Sequence, residues 1–289
     1  MVASDTVRAF TDLEGRLLAL GSAALARSGP VVFLTGAGIS AESGIPTFRG
    51  AEGYWQIGST NYQPEDLATR RAFAAMPDEL WAWYLYRRSV CHAAAPNAAH
   101  LALVALERTL AERFLLVTQN VDGLHLRAGN SLARTYQIHG NIDYSRCEAE
   151  HPRVRELPQG LALDWPKARK LSPAELDALR CHEHGRLTRP HVLWFDESYD
   201  EPLFRYESSM DAARRAAMLV VVGTSGATTL PNHLVSVAAQ RGLPLVCIGP
   251  DESPFTRLTE SLAHGLVLRG TATEWMPKVA RALGVRDGS

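Results

Sequence analysis

Val31-Val32-Phe33-Leu34-Thr35-Gly36-Ala37-Gly38-Ile39-Ser40-Ala41 decides the fold class of this chain. An apolar run with two β-branched residues leads straight into a glycine turn, which is the pattern of a buried strand ending in a tight bend. Gly36 to Ala41 fits G-x-G-x-x-A. Glycines there let the backbone turn sharply and approach a pyrophosphate, and the N-terminus of a following helix favours the anion. A glycine turn in any α/β protein can match so short a motif.

The same apolar signature recurs at Phe114–Thr118, Leu219–Val222 and Leu245–Ile248, and the last two runs end at Gly223 and Gly249. Helical spacing separates them. Residues 5–27 carry Val7, Phe10, Leu13, Leu17, Leu18 and Ala24 on an amphipathic pattern. Residues 64–92 read as helix broken at Pro77, and His100–Leu110 as another. Strands alternating with helices predict an α/β fold: a doubly wound, Rossmann-like parallel sheet. The stretch from Cys147 to Gly185 has prolines, charges and scattered Cys and His with little periodicity, and is read as a smaller inserted module. The expected division is a large domain of residues 1–50, 90–143 and 190–289, with a small domain from insertions 51–89 and 144–189. A cleft between the two is the expected substrate site.

Thirty basic residues against 31 acidic leave a net charge of −1, which gives no basis for an electrostatic grip on nucleic acid or an anionic membrane. No apolar run approaches the roughly 20 residues that span a bilayer. Asp5, Asp12 and Glu14 interrupt the N-terminal region, unlike a secretory or transit signal, so a cytoplasmic location is expected. Cys91, Cys147, Cys181 and Cys247 form no dense framework, consistent with a reducing compartment.

An ordinary dinucleotide fold places an acid at the end of its second strand, roughly 20 residues on. Here Gly44-Ile45-Pro46-Thr47-Phe48-Arg49-Gly50 follows instead, then Tyr54-Trp55. A loop with Phe and Arg in that place argues against a hydride-transfer dehydrogenase.

Gly36–Ser40 with Gly44–Arg49 resembles the NAD loop of the sirtuin family. Four further motifs resemble the family in order: Thr118-Gln119-Asn120-Val121-Asp122-Gly123-Leu124-His125, Ile138-His139-Gly140, Arg189-Pro190-His191-Val192-Leu193-Trp194-Phe195, and Val222-Gly223-Thr224-Ser225. The match spans about residues 30–275. The resemblance implies cleavage of the nicotinamide–ribose bond of NAD and transfer of an acyl group from a protein lysine to ADP-ribose. It implies His139 as general base, for which an imidazole titrating near neutrality is suited, with Asn120 and Asp122 in the reaction. Gln119, Asn120 and Asp122 would line the nicotinamide and ribose pocket, with Phe48 and Arg49 covering the ribose and excluding water. Gly36, Ala37, Gly38, Ser40, Ala41, Ile45, Gly223, Thr224, Ser225, Gly249 and Ala272 would complete the NAD site. Val192, Trp194 and Phe195 would bind the acylated substrate. The other histidines, among them His92, His100, His125 and His191, read as structural.

Tyr84 and Arg87 are three apart, on one face of the predicted helix. Arg is well built for a carboxylate. Tyr-x-x-Arg resembles the mark of desuccinylase and demalonylase sirtuins, and Asp66-Leu67-Ala68-Thr69 resembles the same subgroup, where the small Ala68 widens the acyl pocket. From spacing alone, aromatic packing with a solvated Arg is the favoured reading, because helices rich in Trp and Tyr are common; the resemblance favours the carboxylate role.

Three departures stand out. The family usually holds a structural zinc with two Cys-x-x-Cys pairs; here Cys147 and Cys181 remain and both second cysteines are gone. Cys147, His151, Cys181 and His184 could form a Cys2His2 zinc site, or the module could pack without metal. After Phe195, the family usually has Gly-Glu where this chain has Asp196-Glu197, and near the adenosine it usually has Asn where this chain has Gly249-Pro250. Three functions follow in order: a lysine deacylase acting on acidic acyl groups, with acetyl a weaker substrate; an NAD glycohydrolase or ADP-ribosyltransferase on the same scaffold; and a non-catalytic NAD-binding protein. The last has no need for His139.

Overall fold

A computed structural model describes residues 2–46, 55–57, 60–147, 153–167 and 169–286. Its strands, in chain order, are β1 (Val31–Thr35), β2 (Trp55–Ile57), β3 (Thr60–Tyr62), β4 (Phe114–Thr118), β5 (Thr135–Gln137), β6 (Gly140–Arg146), β7 (Val154–Glu156), β8 (Arg189–Val192), β9 (Met218–Val222), β10 (Leu245–Ile248) and β11 (Gly265–Leu268). Six of them form one parallel sheet in the order β11-β10-β9-β1-β4-β5.

The four predicted strands are the four central ones, and their residues are buried. The reason they read as unbroken apolar runs is that both sheet faces are covered. Side chains alternate between faces. Val31, Phe33, Phe114 and Val220 pack beneath helices Val2–Ala26, Ala98–Leu110 and Ala272–Ala282. Val32, Leu34, Leu219 and Val221 pack against Met210, Leu234 and Phe255 from helices Tyr206–Arg215, Thr229–Gln240 and Pro254–Glu260. The edge strands β5 and β11 escape sequence reading because Thr135-Tyr136-Gln137 is too polar to stand out, and Gly265–Leu268 opens on glycine and so has only three apolar residues. On the first helix, Leu17 is buried while Leu18, about 100° further round, is 54% exposed. No single helix among the described residues is long and apolar enough to cross a membrane.

From β1 the sheet order runs to β4 on one side and β9 on the other, so the carboxyl ends of these three strands surround the switch point where such sheets bind ligands.

A second, antiparallel sheet of order β7-β6-β8 stands beside the first, and β2 and β3 form a separate hairpin. β6 and β8 run across residues 143/144 and 189/190, so segments on both sides of those positions share one small sheet. The stretch 64–92 becomes three helices, Pro64–Leu67, Arg70–Ala75 and Pro77–Ala93. Pro77 opens the third, because the first helical turn has no use for the amide proton that proline lacks. That third helix has two apolar faces. Leu80, Trp83, Tyr84 and Cys91 join Ala68, Val192 and Trp194. Trp81 and Leu85 join Leu157, Leu161, Trp165 and Leu179, and the Trp81 indole donates to the Thr188 carbonyl at 2.8 Å. The described residues of the 147–187 stretch are thus held to the helix by the packing of Leu157, Leu161, Trp165 and Leu179 on Trp81 and Leu85.

Candidate active site

The glycine loop after β1 folds directly onto the loop after β9. Gly36 N–H donates to Val222 O at 2.9 Å and Gly38 N–H to Gly223 O at 2.8 Å. A Cβ on Gly38 would lie 2.6 Å from Gly223 Cα, and Gly223 itself has φ +59°. Only glycine satisfies both the approach and the left-handed backbone. The helix after the loop, Gly38–Ala41, is four residues long, so it carries little of the helix dipole expected from the motif. Anion binding here rests on the loops themselves.

The motif after β4 supplies the polar floor of this crevice. Gln119 is held at both ends: its amide donates to Thr224 Oγ1 at 2.8 Å and its carbonyl accepts from Thr228 Oγ1 at 3.0 Å. Asp122 is buried, accepting from Ser40 Oγ at 2.7 Å and from Leu124 N–H at 2.9 Å. Asn120 donates from Nδ2 to Gly36 O and Ser40 Oγ, both at 3.1 Å. Its Oδ1 has no donor among the described residues and remains an acceptor for a carboxamide or sugar hydroxyl. Asn120 thus keeps an acceptor atom with no partner among the described residues, while Gln119 and Asp122 spend part of their bonding capacity on bracing the loops around it. The family's NAD fits this crevice on those grounds.

His139 sits where the chain leaves β5 of the large sheet and enters β6 of the small one. Ile138 N–H bonds Thr118 O at 3.0 Å and Leu193 N–H bonds His139 O at 2.9 Å, so the residue is anchored to both sheets. Gly140 has φ +85°, and a Cβ there would collide with the His191 carbonyl. Burial lowers the His139 pKa to about 4 against an opposing hydrogen bond to the Gln119 backbone, so the imidazole is neutral at pH 7, the form a base requires. Its Nε2 lies 2.7 Å from the Tyr199 hydroxyl, a contact with no signal in the sequence, since Tyr199 stands in an irregular stretch.

Ala68, Tyr84, Val192 and Trp194 meet in one buried cluster, joined by Ile45. The Trp194 indole donates to the Tyr84 hydroxyl at 2.8 Å. Arg87, one turn on, places its guanidinium 5.5 Å from the Trp83 ring and its charge acts on the Tyr84 phenol. Phe195 is 56% exposed, and its N–H bonds Ala68 O at 2.9 Å. Asp196, the side chain in place of glycine, does not adopt positive φ. Its carboxylate accepts from Arg70 N–H at 2.8 Å and Arg71 N–H at 3.3 Å, while Thr69 Oγ1 accepts from Ala72 N–H at 3.0 Å. Together the two residues cap the helix Arg70–Ala75 and tie the Ala68 loop to the segment that follows β8.

Ser225 and Ala41 are exposed at the rim. Gly249 hydrogen-bonds Leu268 O and Gly270 N–H. The Ala272 methyl packs in the core, leaving its backbone as the part available to a ligand. Phe48, Arg49 and His151 lie outside the described residues.

For the metal, Cys147, Cys181 and His184 present ligand atoms within 4.8 Å of one another. Both sulfurs converge on His184 Nδ1, at 3.5 Å from Cys147 and 3.4 Å from Cys181. Zinc bond lengths on a tetrahedron put sulfur and nitrogen about 3.5 Å apart. Hydrogen bonds from His184 and from the Glu183 and His184 backbone lower the Cys181 pKa to about 6, toward the thiolate that zinc needs. Three residues therefore fit zinc, and it would cross-link β6 to the 181–184 turn. Elemental analysis is expected to find about one zinc per chain, and chelation to lower Tm by several degrees; a metal-free chain with an unmoved Tm would mean the module packs alone. Cys91 and Cys247 are different: burial pushes both thiols up to about 12.

A parallel sheet with its crevice at the switch point, a polar floor carrying an open acceptor, and a neutral imidazole where two sheets meet define a nucleotide-binding α/β enzyme class. The profile of the Sir2 family, the sirtuins, matches residues 36–229, and the chain belongs to that family. Among its relatives, an NAD-dependent protein deacylase of Leptospira interrogans is 39% identical over 250 residues, covering 86% of this chain and 91% of its own. One from Thermus thermophilus is 42% identical over 249 residues, covering 85% and 87%. Among solved structures, a Sir2 homolog–NAD complex superposes with TM-score 0.73 at 36% identity over 91% of this chain and 92% of that one.

Proposed function

We propose that this Sir2-family enzyme is an NAD-dependent protein-lysine deacylase that releases nicotinamide and O-acyl-ADP-ribose, and that it prefers acyl groups ending in a carboxylate, succinyl and malonyl, over acetyl. The deacylase part is supported by the relatives' shared name and by the motifs' convergence on one crevice. The acyl preference is carried by the bond between Trp194 and Tyr84. An indole N–H only donates, so the phenol oxygen accepts and its own proton is left to give away. Burial pushes that phenol up to about 12, so it keeps the proton at pH 7. No described residue takes the proton. A carboxylate would, with Arg87 supplying the countercharge and Ala68 leaving room.

In this reading, Asn120 Oδ1 accepts from the bound substrate, the glycine loops approach its phosphates, and the His139 lone pair takes the proton of a sugar hydroxyl. The acylated lysine enters between the two proposed domains, past Phe195.

Nicotinamide release with matched unmodified, acetyl-lysine and succinyl-lysine peptides tests the reading. Release is expected only with acylated peptide and fastest with succinyl. Release that ignores the peptide would identify an NAD glycohydrolase, and no release a binding protein. Arg87→Met is expected to remove most activity on succinyl-lysine, about tenfold or more by loss of a charge-assisted pair, and to spare acetyl-lysine. Equal loss on both would make Arg87 structural.

A further inference from the structure

Tyr199 lies opposite the imidazole of His139 and has no part in the roles described so far. Its hydroxyl is 2.7 Å from Nε2, and the two ring centroids are 5.7 Å apart. The direction of this hydrogen bond follows from the other side of the ring. His139 is bonded to the Gln119 backbone in a way that favours its protonated form, which is the effect of a carbonyl acceptor. A carbonyl only accepts, so Nδ1 carries the proton of the neutral ring and Nε2 the lone pair. Tyr199 is then the donor. Burial pushes its phenol up to about 12, so it holds its proton across the working range.

We propose that Tyr199 is a positioning residue for His139: its hydroxyl holds the imidazole with the Nε2 lone pair facing the crevice, occupies the place of a reacting sugar hydroxyl, and gives way to it. The physical basis is the identity of the two bonds. A sugar hydroxyl that is to lose its proton to Nε2 must lie within hydrogen-bond reach of it, about 2.6–3.2 Å, and the phenol oxygen already stands there. A neutral imidazole with one face of the ring unsatisfied could turn or accept a misplaced water. With the phenol in place the lone pair is satisfied and aimed before substrate arrives, and one hydroxyl replaces another when it does. No covalent step involves Tyr199. The groups that set the titration of His139 are burial and the Gln119 carbonyl, with no charged side chain contributing, so the phenol's own effect can be read cleanly. The inference rests on His139 being the base, as proposed above.

The test is Tyr199→Phe, which keeps the ring and its burial and removes only the donor. In the ligand-free enzyme, imidazole NMR follows the His139 titration. Donation to the lone pair favours the neutral ring, so its loss is expected to raise the titration midpoint by about one pH unit, a tenfold weaker hold on the neutral form. In steady state, kcat/KM for NAD is expected to rise about threefold to tenfold, because no protein bond is displaced, with kcat within about twofold of wild type because the phenol has already left the reacting complex. An unmoved His139 titration would overturn the proposal, as would a kcat that falls with kcat/KM, which would place the phenol in the reacting complex. If Tyr199→Phe does not fold, 2,3-difluorotyrosine at position 199 keeps the shape and strengthens the donor, and the midpoint is expected to move down; an upward or absent shift overturns the proposal. The NMR arm uses no substrate, so its outcome is independent of whether nicotinamide release depends on acylated peptide.

Discussion

Replacing His139 by alanine is expected to abolish acyl transfer, by about 10^3-fold or more, while NAD binding stays within severalfold of wild type. The separation follows from where the residue is held. His139 hangs between β5 and β6, bonded to the Gln119 backbone and Tyr199. The NAD crevice is built by other bonds: Gly36 and Gly38 to the loop after β9, Gln119 to Thr224 and Thr228, Asn120 to Gly36 and Ser40, Asp122 to Ser40 and Leu124. None of these passes through the imidazole. Product formation with an acylated peptide and NAD binding by calorimetry check the two halves separately. Loss of NAD binding in the variant would remove His139 from the role of base and make it part of the binding wall.

Glu197→Ala is expected to lower folding stability by about 3–5 kcal/mol, the cost of breaking a buried ion pair by removing one partner. Arg189 is fully buried and bonds Glu197 at 2.5 Å and 2.9 Å; Arg146, 5% exposed, bonds the same carboxylate at 3.1 Å. Removing the carboxylate leaves two buried guanidiniums without it. The damage extends to the buried cluster of Ala68, Tyr84, Val192 and Trp194, because Glu197 also accepts from Trp194 N–H at 2.9 Å and Arg189 stacks 3.2 Å from the Trp194 ring. Trp194 in turn holds Tyr84. Tm is expected to fall by roughly 10 °C. Burial raises the Glu197 pKa, but the Arg189 hydrogen bond and charge, the Trp194 N–H and Arg146 outweigh it and leave the carboxyl below its ordinary value. A depressed folded-state pKa means the unfolded chain binds the proton first. The stabilisation is therefore complete above the unfolded carboxylate value, about 4.3, and is lost as pH falls through the folded one. The gap in Tm between wild type and variant should be full at pH 7 and close in acid. A gap that persists undiminished at pH 3 would show that packing, not charge, sets the loss.

The four central strands, the glycine turn and the order of the motifs were legible in one dimension because their signals are local. A strand covered on both faces is a short apolar run, and a turn that must approach another backbone is glycine. The motif residues of the crevice were legible only through the family resemblance. Helix periodicity placed Tyr84 and Arg87 on one side but left open whether that side bound a ligand or packed a core, since both uses bury an aromatic. Cys147 and Cys181 stood out by type, yet their convergence on His184 depends on a turn that brings residues 37 positions apart together.

By itself, then, the sequence determined a doubly wound sheet and which loops carry chemistry, since covering both faces of a strand and turning a backbone tightly each leave a mark on neighbouring residues. Tertiary structure alone decided that Asn120 Oδ1 has no partner among the described residues while Gln119 and Asp122 brace the loops beside it, that Asp196 caps a helix, that Trp194 donates to the Tyr84 hydroxyl, and that Tyr199 meets His139 where two sheets join. Each of these is a hydrogen bond between residues distant in the chain, and the direction of a hydrogen bond is set by what the other atoms of each group have already bonded, which no local pattern records.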